Sequence, residues 1–402
     1  MGAMLYRTME KTGDKLSVLG YGCMRFPRNN IGIDEKRARQ QVLSAIEQGV
    51  NYFDTAYLYP GSEKVLGNIL AGGLREKVRI ATKLPPMMVK SSEDIHSIFQ
   101  KQLDRLQTDH IDYYLVHNVS SFEDWQRLKK LGILAFVQEE QQKGRIRHFG
   151  FSFHGNLLTF KRLVDDHPWD FCQIQYNYLD ENFQAGTEGL HYAAEKGLGI
   201  IVMEPLRGGT LGAKIPEPVR KVLHSCNPQR SPAQWALQWV FAHSEVSVVL
   251  SGMDKEEHIR ENIRVASSQD GFSFTEREAA CLEEAKQIFR EKVKVPCTGC
   301  AYCLPCPHGV DIPTCFAWYN NRSVHGGLFS TWQYTLATEG AVNGNPTKAS
   351  NCKSCGVCEK RCPQQINIPA RLKEAAAEME KPYIRIPIRT VLRIFSRRPK
   401  DA

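Results

Sequence analysis

Between residues 19 and 266 the chain repeats one pattern eight times: a short β-rich run, then a stretch of helical period. The runs are LGYGCMRF, NYFDTA, VRIATKL, IDYYLVHN, IRHFGFSF, FCQIQYN, GIIVMEP and VSVVLSG. Segments such as EKRARQQVLSAIEQG and HSIFQKQLDRL follow them, with apolar residues at three- and four-residue intervals. Gly and Asn mark the junctions in EQGVN, EKGLG and QKGRI. Repeated β-α units demand a parallel sheet with right-handed crossovers. Eight of them at this length predict an α/β fold closed into a (β/α)8 TIM barrel. The open alternative, a doubly wound dinucleotide-binding sheet, would carry G-x-G-x-x-G after its first strand, and none follows here. Ahead of the first run, YRTMEKTGDKLSVLG contains a TGD turn and reads as a hairpin that closes the bottom of the barrel.

The 402 residues leave room for a second, smaller domain. The expected organisation is a barrel over 1–290, a small module over 291–380 and a basic tail over 381–402. No apolar run approaches the roughly 20 residues of a membrane span, and MGAMLYRTMEKTG lacks the apolar core of an export signal. Of 13 cysteines, nine fall between Cys297 and Cys362. A disulfide framework belongs to secreted chains, so metal ligation in a reducing cytoplasm is the expectation. Net charge is +8, and the tail carries seven Lys or Arg against one acid. The remainder is nearly neutral, which excludes a general nucleic-acid surface. In the tail, Arg385, Arg389, Arg393 and Arg397 recur opposite Ile388, Val391, Leu392 and Phe395, as on a basic amphipathic helix. Such a helix either packs on the protein's own body or docks on an anionic membrane surface or an acidic partner.

Barrels carry their chemistry at the C-terminal ends of the strands. The second run ends at Asp54 with Tyr59 in the loop beyond, the third at Lys83 and the fourth at His117. Taken singly these read equally well as a helix cap, a loop anchor, a rim charge and a buried histidine; together on one rim they suit carbonyl reduction. Hydride arriving at a carbonyl carbon leaves an alkoxide that needs a proton. A free phenol donates slowly at neutral pH, and an ammonium beside it favours the phenolate and so makes it a better donor. Asp54 would hold Lys83 charged, and His117 would orient the carbonyl oxygen.

The blocks NYFDTAYLYPGSEKVLG, ATKL, LDRLQTDHIDYYLVHN and GRIRHFGFS resemble, in order and strand position, the signature blocks of the aldo-keto reductases over roughly residues 5–290. The resemblance implies Tyr59 as general acid, Lys83 and Asp54 as its activating pair, His117 as the orienting residue, and a nicotinamide coenzyme held without a Rossmann motif. It also implies coenzyme contacts. Ser152 and Gln173 match the carboxamide-binding positions, with Phe153 in place of the usual Asn and His154 as its substitute. Met203 stands where an aromatic ring stacks on the nicotinamide. LRGGTLG, with Leu206, Gly208 and Gly209, matches the pyrophosphate loop. At the adenosine end Gly252 and Met253 replace a Lys-Ser pair and His258 replaces an Arg, while Glu261 and Asn262 are retained. Losing that Lys and Arg weakens the case for strict NADPH use, so both NADP(H) and NAD(H) stay open.

The two cysteine sets are Cys297-x2-Cys300-x2-Cys303-x2-Cys306-Pro307 and Cys352-x2-Cys355-x2-Cys358-x3-Cys362-Pro363. Three thiolates at this spacing wrap one corner of a cubane, and the fourth, before proline, serves the other cluster. That logic assigns Cys297, Cys300, Cys303 and Cys362 to one [4Fe–4S] cluster and Cys352, Cys355, Cys358 and Cys306 to a second. Zinc, usually held by two C-x2-C pairs set well apart, fits less well. The first set has x2 where bacterial ferredoxins have x3 before Cys-Pro, which leaves Cys315 as a reserve ligand for Cys306. The region 295–369 resembles a two-cluster ferredoxin module, and IPTCFAWYNN and TWQYTLATEG predict a mainly α-helical one. Two function classes follow. One is NAD(P)H-dependent reduction of a small-molecule carbonyl, with the clusters structural or redox-sensing. The other is electron transfer to or from a ferredoxin or flavoprotein partner.

Overall fold

The computed structural model describes residues 3–383 apart from 214, 269–270, 326 and 340–344. The basic amphipathic stretch from 384 onward therefore lies outside the described residues. The chain divides into two compact units, Met1–Leu206 with Ala233–Phe274, and Arg207–Pro232 with Thr275–Ala402.

In the first unit β1 (Tyr6–Thr8) and β2 (Lys15–Ser17) form an antiparallel hairpin. Eight parallel strands then close into a barrel: β3 (Leu19–Gly22), β4 (Tyr52–Asp54), β5 (Arg79–Leu84), β6 (Ile111–Val119), β7 (Ile146–Phe153), β8 (Phe171–Gln175), β9 (Gly199–Met203) and β10 (Val246–Ser251), with β10 pairing both β9 and β3. The expected barrel and its bottom hairpin are both present. Met9, in the hairpin turn, packs into the barrel interior with Leu16, Tyr52, Tyr113, Phe171, Ile201 and Val248. β9 begins with glycine because a Cβ on Gly199 would lie 2.2 Å from the Met9 sulfur.

Helices α1 (Glu35–Glu47), α2 (Ser62–Leu70), α3 (Ser92–Leu106), α4 (Phe122–Lys130), α5 (Ile133–Gln142), α6 (Leu157–Asp166) and α7 (Gly186–Glu195) occupy the crossovers between successive strands. Their starts follow local chemistry. Ser91 and Asp94 form a reciprocal capping box ahead of α3, and Ser121 and Asn156 accept N3 amides at α4 and α6. Between the helices and the sheet lies an aromatic seam, with Trp125 and Trp169 centroids 4.6 Å apart and Phe153 and Phe160 5.0 Å apart.

Between β9 and β10 the chain forms α8 (Glu217–Cys226) and α9 (Pro232–Phe241); after β10 come α10 (Glu256–Ala266) and α11 (Glu276–Lys292). The second unit, to which α8 and α11 belong, continues with α12 (Ile312–His325), α13 (Gly327–Thr338) and α14 (Ile368–Met379), and among the described residues it holds no strand. This is the helical module expected from IPTCFAWYNN and TWQYTLATEG. Its core is Val295, Phe316, Tyr319, Tyr334, Leu372 and Met379, with six of the clustered cysteines packed around or within it. No described helix is long and apolar enough to cross a membrane.

Candidate functional site

Asp54, Lys83 and His117 are all buried, each at most 3% exposed, at the C-terminal rim of β4, β5 and β6. The Lys83 ammonium donates to Asp54 Oδ1 at 2.6 Å and to the Thr55 carbonyl at 2.7 Å. Tyr59 sits half-buried in the turn ahead of α2, its backbone amide bonded to the Ala56 carbonyl at 3.0 Å. That turn brings the phenol ring to 5.3 Å from Lys83 Nζ, measured to the centroid, and 5.8 Å from the His117 ring, edge on at 85°. The four residues read from separate strand ends thus meet at one place.

Burial pushes the Lys83 pKa down and the Asp54 pKa up, and each charge opposes that shift in the other. Gln173, on β8 diametrically across the barrel from β4, also draws the Asp54 carboxyl down. Burial, then Lys83 and then His154, holds His117 well below the ordinary imidazole range. His117 is therefore a neutral ring at neutral pH, able to donate one hydrogen bond and accept one.

His117 owes its orientation to an irregularity. The pairing of β6 with β7 shifts register between Val116 and Val119, and Asn118 inside that interval has φ 55°. The Asn118 amide donates to Ser152 Oγ at 2.7 Å. Bulges of this kind re-aim a side chain next to an active site. Asn118 and this use of Ser152 were missed in the sequence reading. The only local signal is an Asn, tolerant of left-handed backbone, directly after the rim histidine.

The expected coenzyme residues are distributed as follows. Ser152 and Gln173 are buried within the barrel unit. Phe153 faces away from Ser152 into the aromatic seam, against Phe151 and Phe160, while His154 is buried close enough to lower the His117 pKa. Met203 packs half-buried on the barrel core, and Leu206 closes that part of the unit. Arg207, Gly208 and Gly209 run consecutively through positive φ at 46°, 65° and 91° and belong to the second unit. A Cβ on Gly208 would meet the Thr298 carbonyl oxygen at 2.1 Å, so the close backbone approach that this glycine permits is to the loop after Cys297. Past β10, Met253 is buried with its carbonyl accepting from Tyr21 Oη at 3.0 Å, and Asn262 Nδ2 donates to Ser251 Oγ at 2.9 Å. His258 is bonded to Asp254 at 2.9 Å, and Glu261 is half-buried. Sequence reasoning also passed over Arg25, just beyond β3, whose guanidinium lies 3.9 Å from Glu204.

In the second unit the cysteines gather in two quartets. Burial pushes the Cys303 thiol far up, and the neighbouring charges of Cys300, Cys297 and Cys362 push the same way. Burial raises Cys358 to about 11, with Cys352, Cys306 and Cys355 adding to it. Each quartet takes three cysteines from one set and the Cys-Pro cysteine from the other. The first lines a hollow together with Ile312, Phe316 and Ile368. Among the described residues, no three His, Cys, Asp or Glu side chains close around a point that one ion could fill. The first quartet lines a hollow, and a cubane, unlike a single ion, fills a volume. Thiols whose mutual repulsion opposes ionisation also fit a group whose iron cations take up that charge. Cys315 stands apart, fully buried with its sulfur directed at the Tyr334 hydroxyl and the Thr347 carbonyl.

The rim of the closed parallel barrel thus gathers an acid, an amine, a phenol and an imidazole, and the comparisons give the family. The aldo/keto reductase family profile matches residues 18–285 and a 4Fe-4S dicluster domain profile matches residues 296–367. The chain belongs to the aldo/keto reductase family and is an oxidoreductase with a C-terminal iron–sulfur dicluster domain. L-galactose dehydrogenase of Arabidopsis thaliana is 27% identical over 307 residues, covering 70% of this chain and 95% of that protein. D-galacturonate reductase of Fragaria ananassa is 26% identical over 326 residues, covering 70% and 91%. Among solved structures, the holo form of aldo-keto reductase AKR11C1 from Bacillus halodurans aligns with a TM-score of 0.59 and 26% identity, over 70% of this chain and 96% of that one.

Proposed function

We propose that the barrel reduces a carbonyl compound to the alcohol, using NADH or NADPH, and that the second unit carries two [4Fe–4S] clusters. The single observation that carries the barrel reading is the placement of Lys83 Nζ 2.6 Å from Asp54 and 5.3 Å from the Tyr59 ring centre. The bound coenzyme supplies the hydride that forms the new C–H bond. As the carbonyl π bond breaks, its electron pair moves to oxygen and Tyr59 Oη transfers its proton there. Solvent then restores the phenol. Lys83 stabilises the transient phenolate, Asp54 keeps Lys83 in place, and neutral His117 donates a hydrogen bond to the carbonyl oxygen and fixes its angle. Relatives named for L-galactose and D-galacturonate make hydroxylated carbonyl compounds the first substrate class to assay.

In the dicluster module, one cluster would be held by Cys297, Cys300, Cys303 and Cys362 and the other by Cys352, Cys355, Cys358 and Cys306. A cluster-bearing module suits a reducing cytoplasm, where disulfides are not the default. This reading keeps the division into a barrel over 1–290, a cluster module over 291–380 and a basic tail, although residues 207–232 and 275–290 pack as part of the second compact unit. A second reading, electron exchange with a ferredoxin or flavoprotein, draws its support from the module itself, since such clusters move single electrons. Anaerobic turnover of a carbonyl panel with NADH and NADPH tests the first reading. Tyr59→Phe should lose at least ~100-fold in kcat, the scale of a missing general acid. Unchanged turnover in the variant would overturn it. Wild type inert with both coenzymes, yet reducible by a ferredoxin, would shift the conclusion to the second.

A further inference from the structure

We propose that Arg25 is a phosphate-binding residue of the coenzyme site. It would supply, from the loop after the first barrel strand, the cation that Gly252 and Met253, directly after the eighth, do not. The inference rests on the reading of the barrel as NAD(P)H-dependent and names a residue which that reading does not contain.

Phosphates bind barrels most often at the loops that follow the seventh and eighth strands. Here those strands are β9 and β10, and the residues directly beyond them are Glu204 and Gly252. Neither is cationic. Met253 is buried and cannot serve, and His258 is engaged with Asp254. The rim is nonetheless supplied with a positive charge. Arg25 ends the short helical turn Cys23–Arg25, whose first residue, Cys23, is fully buried and which Phe26, 3% exposed, follows. With Cys23 and Phe26 anchored inward, the Arg25 side chain runs across the barrel rim. A Cβ on Gly252 would lie 2.9 Å from Arg25 Cδ, 3.0 Å from Cβ and 3.1 Å from Cγ. Gly252 does not adopt a positive φ, so the space it leaves is what its glycine contributes. The position that lacks a cation is the position over which Arg25 passes.

Beyond Gly252 the guanidinium reaches Glu204 at 3.9 Å, with 39% of its side chain exposed. That contact is looser than the roughly 2.7–2.9 Å of a charge-assisted hydrogen bond. Glu204 is itself fixed, with φ 57° and its carbonyl accepting from Asn177 Nδ2 at 3.1 Å. A phosphate, which Arg binds in a bidentate fork, would compete with Glu204 for the guanidinium. Glu204 then repels that same phosphate. The two residues should therefore affect coenzyme affinity with opposite sign, which a purely structural ion pair would not do.

The test is anaerobic titration of the full chain with NADPH and with NADH, followed by nicotinamide fluorescence, alongside steady-state KM and kcat. Arg25→Met should raise the Kd of at least one coenzyme roughly tenfold, the scale of a lost hydrogen-bonded charge, with more of the change in KM than in kcat. Arg25→Lys should recover part of the loss, and Glu204→Gln should tighten binding by about threefold. Weakening of both coenzymes assigns Arg25 to the pyrophosphate; weakening of NADPH alone assigns it to the 2′-phosphate. Kd values within about twofold of wild type for both coenzymes in a folded Arg25→Met overturn the proposal. If that variant does not fold, Glu204→Gln decides, and unchanged affinity there overturns it. Wild type that binds neither coenzyme removes the parent reading as well, whereas wild-type binding with an indifferent Arg25→Met removes this inference alone.

Discussion

Lys83 and Asp54 are both buried at the rim, and an ion pair in that position is seldom a net source of stability, because desolvation cancels most of the attraction. Under the proposed mechanism the phenol beside it gives the pair its use, since it needs a cation that water does not screen. The same dry surroundings act on the neighbouring imidazoles. Burial lowers His154 to about 4, with Gln184 opposing, and His117 lies well below its ordinary range. On unfolding, both return to a pKa near 6.5. Between those limits the unfolded chain binds protons that the folded chain refuses, so stability is full above about pH 6.5 and falls as the pH drops. Each such histidine contributes a slope of about 1.4 kcal/mol per pH unit. His154→Asn, which cannot titrate, should flatten the pH dependence by that amount between its two pKa values. Urea unfolding at stepped pH, followed by tryptophan fluorescence, measures it, and parallel profiles for variant and wild type would mean that His154 is already protonated in the fold.

At the scale of elements, the barrel and its four rim residues were legible because the signals are local. Alternation of strand and helical period placed eight strand ends, and catalytic side chains follow strand ends. The bulge in β6 was not legible, since a register shift belongs to two strands at once and only its Asn leaves a trace. Gly208 was read as a phosphate glycine, yet its close neighbour is the Thr298 carbonyl, some ninety positions along the chain. Arg25 was read only as part of the β-rich run LGYGCMRF, because nothing nearby in sequence shows that Gly252 clears its path. Ser152 illustrates the consequence. Family resemblance gives it to the carboxamide, and its hydroxyl also accepts from the Asn118 amide. Ser152→Ala leaves that amide without its acceptor, and the expected loss is about 1–3 kcal/mol of stability together with a lower kcat as His117 loosens. A carboxamide role alone would raise the coenzyme KM and leave the urea midpoint where it is.

Across the whole molecule, the crossing of the cysteine sets decides how the second unit holds together. Each quartet draws three thiols from one set and one from the other, so a cluster in either place ties residues 297–306 to residues 352–362 and closes the α12–α13 segment between them. Closing a loop of that length restricts the unfolded chain, as any long cross-link does. The crossing also makes a prediction that separate clusters would not. Cys352→Ala with Cys355→Ala should remove the second cluster and about half of the bound iron. Adding Cys306→Ala should then cost nothing more, because its cluster is already gone, while adding Cys362→Ala should remove the remaining iron. If each set instead held its own cluster, the two triple variants would exchange outcomes. Cys315→Ser should leave the iron content of each background unchanged, since its sulfur lies against Tyr334 and Thr347 and in neither quartet. Iron per chain after anaerobic purification reads all of these, and loss of iron in Cys315→Ser would return that residue to the ligand set in place of Cys306.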